Sequence, residues 1–165
     1  MRALGERLAR LLRPGDLVVL NGPLGAGKTT LVQGIGAGLD VRGPVTSPTF
    51  VIARIHQARR GGPPLVHVDA YRLSSPAEVD DLDLDADLES SVTVVEWGGG
   101  LVERLAPSWL DVTIVLPDPD AELDPGGALD AGDEPRIVRL AGRGERWAVA
   151  AGSVDLTLSA AAQAL

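Results

Sequence analysis

At 165 residues, with a formal net charge of −8 and no cysteine, the chain has the length of one domain. It has no disulfide framework or thiolate metal site, and its charge argues against an extended DNA or other nucleic-acid footprint. It has no apolar run long enough to span a membrane, and Met1-Arg-Ala-Leu-Gly-Glu6 lacks a secretory leader's apolar stretch, so the expectation is a cytoplasmic protein. Of the 15 basic residues only Lys28 is a lysine.

Leu4, Leu8, Leu11 and Leu12 recur at helical spacing and predict a helix over residues 3–12, closed by the turn Arg13-Pro-Gly-Asp16. The apolar run within Asp16–Asn21 predicts a buried strand, and Thr29–Leu39 a helix ended by glycines. Phe50–Ile55 and Leu65–Asp69 follow as strands, joined by a Gly/Pro-rich turn at Arg60–Pro64. Ser75-Pro-Ala-Glu78 has the form of a capping box with proline at the first helical position, so a short acidic helix should follow. Ser91–Trp97 holds a strand ending at Glu96, Gly98–Gly100 break it, and Leu101–Leu105 reads as a short helix. Leu110–Leu116 is a further strand, Asp118–Pro135 a mobile acidic loop, Arg136–Leu140 the returning strand, and the last 20 residues an ambiguous tail. Strand, glycine loop and helix in succession predict one α/β domain over residues 1–165, with a central, mainly parallel sheet flanked by helices.

Gly22-Pro-Leu-Gly-Ala-Gly-Lys28-Thr29 fits the phosphate-loop pattern G-x-x-x-x-G-K-[ST]. Glycines let the backbone N–H groups converge on phosphate oxygens, and the start of the next helix adds its positive dipole end. Lys28 would neutralise the β- and γ-phosphates, and the Thr29 hydroxyl would ligate Mg2+. Such a site needs a further carboxylate at the end of a neighbouring strand. Asp69 and Glu96 both end apolar strands, and strand alternation sets His67 on the face of Asp69. His67 by itself reads as a packed, hydrogen-bonded histidine. A single lysine excludes the Asn-Lys-x-Asp guanine-specificity segment, which disfavours a Ras-like GTPase; the loop is read as binding ATP with magnesium.

Beyond the loop stand Thr46-Ser-Pro-Thr-Phe50, His67-Val-Asp-Ala-Tyr-Arg-Leu73, Glu78 and Glu96-Trp97. Their order and spacing, together with Gly22–Thr30, closely resemble the TsaE (YjeE) family over roughly Leu4–Leu116. The resemblance implies a compact P-loop ATPase fold. Gly22 and the stretch Gly25, Ala26, Gly27, Lys28, Thr29 and Thr30 would bind the phosphates, and Thr29 with Glu96 would hold magnesium. Thr46 would belong to a switch segment, Asp69 would orient the attacking water, and Trp97 and Arg143 would flank the base. It also implies slow ATP hydrolysis, stimulated by a TsaD–TsaB pair that transfers threonylcarbamoyl to adenosine 37 of tRNA, with tRNA met only indirectly. Pro23 departs from the family, which usually has an acid there. A small-molecule kinase and a nucleotide-gated assembly factor are the alternatives. The sequence shows no arginine-pair lid and no acceptor-binding segment of a kinase.

Overall fold

The structure is a computed structural model that describes residues 1–116, 136–150 and 154–158, with only the backbone considered at 149, 150 and 154–158. One seven-stranded sheet runs in the order β2-β3-β4-β1-β5-β6-β7. The strands are β1 (Leu17–Asn21), β2 (Ala53–His56), β3 (Leu65–Asp69), β4 (Val92–Glu96), β5 (Trp109–Val115), β6 (Arg136–Arg143) and β7 (Val154–Leu158). β3, β4, β1 and β5 are mutually parallel, whereas β2, β6 and β7 join antiparallel. The mainly parallel expectation therefore holds for the centre, and the flanks make the sheet mixed.

Helices α1 (Arg2–Ala9) and α2 (Lys28–Gly38) cover one face of the sheet. The other carries α3 (Pro76–Asp80), α4 (Asp85–Leu88) and a 3-10 turn at Glu103–Leu105. Covered on both sides, β1, β3 and β4 read as nearly continuous apolar runs rather than alternating ones. β5 instead alternates, with Leu110, Val112 and Ile114 beneath α1 and α2. Each fully buried Val or Leu here stabilises the fold by about 1.5–3 kcal/mol, which outweighs the weak helix propensity of the three glycines in α2. One of them is needed for contact: a Cβ on Gly34 would collide with the Arg2 carbonyl, so glycine lets α1 and α2 cross closely.

Differences from the sequence reading are local. Phe50–Ile52 are not strand but turn, because the Val51 and Ile52 amides bond back to Pro48 O. Ser75 caps α3 by accepting from the Glu78 amide, but the Glu78 carboxylate answers one residue early, taking the Ser74 amide and hydroxyl. Those bonds hold the Glu78 carboxyl below its ordinary value. The tail contributes a 3-10 helix at Glu145–Ala150 and the edge strand β7. The stretch expected as a mobile acidic loop, Asp118–Pro135, lies outside the described residues. Among the described residues no helix is long and apolar enough to cross a membrane.

Candidate functional site

Parallel strands bring their C-terminal ends to one edge of the sheet, and the expected site forms there. β1 ends at Asn21 and the glycine loop follows, folding over the start of α2. Gly27 is the N-cap of α2 with φ 100°, a left-handed conformation that a side chain would oppose. Register pairs Leu20 of β1 with Glu96 of β4, and Asp69 of β3 with Glu96, so both carboxylates stand beside the loop. Leu24, Gly25, Gly27, Lys28, Thr29, Thr30, Ser47, Thr49, Asp69, Glu96 and Trp97 line a cleft of about 280 Å3. A larger cleft of about 370 Å3, between α2 and residues 40–45, holds none of the predicted residues.

Lys28 is 5% exposed. Its Nζ donates to the carbonyls of Gly22 (2.8 Å) and Pro23 (2.9 Å) and lies 3.7 Å from the centroid of the Trp97 ring. Burial holds this ammonium below its ordinary value of 10.5, and Glu96 and Asp69 offset part of that effect. The Trp97 indole belongs to a residue with φ 62°, a rare conformation for a bulky side chain and of the kind that collects at functional sites. Its other neighbour is Tyr71, with ring centroids 5.3 Å apart.

The Thr29 hydroxyl donates to both oxygens of Glu96, at 2.9 and 3.1 Å. Glu96 is 3% exposed and also meets His67 Nε2 at 2.8 Å. Asp69 is held separately. Its Oδ2 accepts from Thr49 Oγ1 (2.6 Å) and Ser47 Oγ (3.2 Å), and its Oδ1 from the Tyr71 amide. A hydroxyl and a carboxylate suit a hard divalent cation. No group of three or more His, Asp or Glu side chains among the described residues could hold a metal by itself. A magnesium ion at Thr29 and Glu96 would therefore take its remaining ligands from phosphate and water.

Of the residues predicted from sequence, Gly25, Gly27, Lys28, Thr29, Thr30, Asp69, Glu96 and Trp97 meet in the cleft. Gly22 accepts from Lys28, and Ala26 is buried within the loop. Two expectations need correction. Thr46 turns away, its hydroxyl accepting from Arg54 at 3.1 Å, while Ser47 and Thr49 of the same motif reach Asp69. Arg143 is at the opposite edge of the sheet. It pairs with Trp109, which in turn pairs with Leu17 at the start of β1, and its guanidinium reaches Asp111 at 3.3 Å. Trp97, expected beside the base, lines the cleft and lies over the Lys28 ammonium.

Ser47, Thr49 and the His67–Glu96 bond were not assigned from the sequence. The hydroxyls lie in a motif that was singled out. The histidine contact depends on β3 lying next to β4, which no local pattern shows.

Residues 1–121 match the family described as "Threonylcarbamoyl adenosine biosynthesis protein TsaE". The chain belongs to the TsaE family. It is 58% identical over 155 residues to the tRNA threonylcarbamoyladenosine biosynthesis protein TsaE of Streptomyces coelicolor, covering 93% of this chain and 98% of that one. The protein of the same description from Bacillus subtilis is 34% identical over 147 residues, covering 88% and 82%. Among solved structures, that of Bacillus subtilis YdiB is similar with a TM-score of 0.50 at 29% identity, over 73% of this chain and 75% of that one. The fold is that of a P-loop NTPase, and the TsaE-family match contains every cleft residue named above, whereas Arg143 lies beyond it.

Proposed function

We propose that this chain is a magnesium-dependent ATPase of tRNA threonylcarbamoyladenosine synthesis. It acts on a TsaD–TsaB-like transferase complex and meets tRNA only through that complex. The observation that carries the reading is the contact between the Thr29 hydroxyl and both oxygens of Glu96 at the foot of the glycine loop. The family, and the printed role of its relatives in threonylcarbamoyladenosine biosynthesis, supply the pathway.

In this reading Gly25–Thr30 surround the phosphates with backbone N–H donors at the start of α2. The γ-phosphate draws Lys28 from the Gly22 and Pro23 carbonyls, exchanging neutral acceptors for charged ones. Thr29 and Glu96 hold magnesium, which supplies positive charge to the phosphate oxygens. Asp69 orients the water that attacks the γ-phosphorus as the bond to the β,γ-bridging oxygen breaks, releasing ADP and phosphate. Ser47 and Thr49 tie the switch segment to Asp69, so that segment feels whatever occupies the site. Trp97 covers Lys28 and the phosphate end of the cleft.

The test is ATP hydrolysis by the purified protein, alone and with its cognate TsaD–TsaB pair, in parent, Glu96→Ala and Asp69→Ala forms. Slow turnover that the pair stimulates is expected. Glu96→Ala should weaken the magnesium dependence, while Asp69→Ala should lower turnover and leave that dependence in place. The reverse pattern would exchange the two roles. Phosphate transfer to a small acceptor, with no stimulation by the pair, would point to a kinase.

A further inference from the structure

His67 is fully buried in the middle of β3. Its direct register partner is Val94, but its ring reaches diagonally up the sheet face, placing Nε2 2.8 Å from Glu96 Oε1. Oε1 also accepts from Thr29 at 2.9 Å, so two donors converge on one carboxylate oxygen. The remaining ring nitrogen, Nδ1, is buried with no hydrogen-bond partner. A buried N–H without an acceptor is costly, so the proton belongs on Nε2 and the imidazole donates to the carboxylate. The ring is also packed in place: His56, itself buried, lies 6.5 Å away by centroid.

We propose that His67 is a positioning residue for Glu96. Its Nε2–H pins Oε1 and sets the rotation of the carboxylate, which keeps Oε2 aimed at the Thr29 side where a divalent cation would sit. A carboxylate held by one hydroxyl alone could turn about its last torsion. A second donor from a rigid strand removes that freedom, as a histidine–carboxylate pair does around bound metals. The inference rests on the assignment of Glu96 to magnesium made above.

The experiment measures ATP affinity by calorimetry, with magnesium and with EDTA, for the parent, His67→Phe, His67→Asn and His67→Gln, alongside thermal unfolding of each. His67→Phe keeps the ring and removes the donor. Gln carries its amide nitrogen about where Nε2 lies, and Asn where Nδ1 lies. The affinity gain that magnesium gives the parent should fall about tenfold in His67→Phe and His67→Asn. It should return in His67→Gln, and affinity in EDTA should be unchanged throughout. A purely packing role would change unfolding temperatures without separating Gln from Asn. If the gain survives in folded His67→Phe, or if Gln and Asn behave alike where Phe does not fold, the proposal is overturned. If the parent itself shows no magnesium-dependent gain, the metal assignment of Glu96 falls, and His67 with it.

Discussion

Both ends of the parallel strands bury carboxylates, and they treat them differently. At the N-terminal end Asp16, 3% exposed, meets a permanent cation. Arg146 reaches its two oxygens at 2.9 and 3.0 Å, also donates to Leu11 O, and stacks its guanidinium 4.3 Å from the Trp147 ring. The Arg13 amide takes a further position on the same carboxylate. At the C-terminal end Asp69 and Glu96 are held by hydroxyls, one amide and an imidazole, while Lys28 spends its donors on loop carbonyls. The first arrangement is complete without a ligand. The second keeps Lys28 on loop carbonyls and Glu96 on the Thr29 hydroxyl, partners that phosphate and a metal could replace at a gain while the His67 contact stays in place. A buried charge marks a candidate site only when its partners are exchangeable.

The largest effect on stability should come from breaking the closed end. Arg146→Ala leaves Asp16 buried without its cation and should lower unfolding stability by about 2–3 kcal/mol, reduced from a fully buried pair because the arginine is part-exposed. Urea denaturation reads the loss, and nucleotide affinity of the folded protein should be unchanged. A fall in affinity would mean that the two ends are coupled. Lys28→Ala tests the open end in the opposite sense. It should cost phosphate contacts of roughly 1.5–3 kcal/mol each and lower ATP affinity at least about tenfold, with stability nearly unchanged, as calorimetry and urea titration would show. Unchanged affinity in a folded protein would remove the loop assignment.

The smallest effect sharpens the boundary of the open end. His56 lies on β2 below His67, and burial, then His67 and Arg54, hold its pKa below the ordinary 6.5. The unfolded chain therefore takes up this proton first as pH falls. The stability associated with neutral His56 is complete above about pH 6.5 and is lost as pH drops toward the folded-state value. Urea midpoints between about pH 5 and 8 should fall on the acid side, and His56→Gln should flatten part of that slope. An unaltered slope would assign the acid sensitivity to other groups.

The sequence made the loop and its flanking elements legible because their signals are local. An apolar run, a glycine loop and a helical segment occupy consecutive positions, and Asp69 and Glu96 each end a run. The missing features depend on which strands become neighbours. Arg143 sits on a strand that returns antiparallel to β5, which carries it away from the loop. The Arg146–Asp16 pair joins positions 130 residues apart. The His67–Glu96 bond crosses diagonally between strands separated by α3 and α4. Within Thr46–Phe50 an irregular backbone offers no period from which to judge which hydroxyls face the site, and Ser47 and Thr49 are the ones that reach Asp69.

The fact that Lys28 is the chain's only lysine makes the cleft chemically addressable. Among its side chains an acylating reagent has one amine to find, the Nζ of Lys28. Mass spectrometry of the Lys28 peptide would therefore report occupancy of one defined place, with modification suppressed when the cleft is filled. By the same token, coupling the protein to a sensor chip through its lysine would tether it at its own ligand end. A tag placed at the Arg146 end would keep that end free.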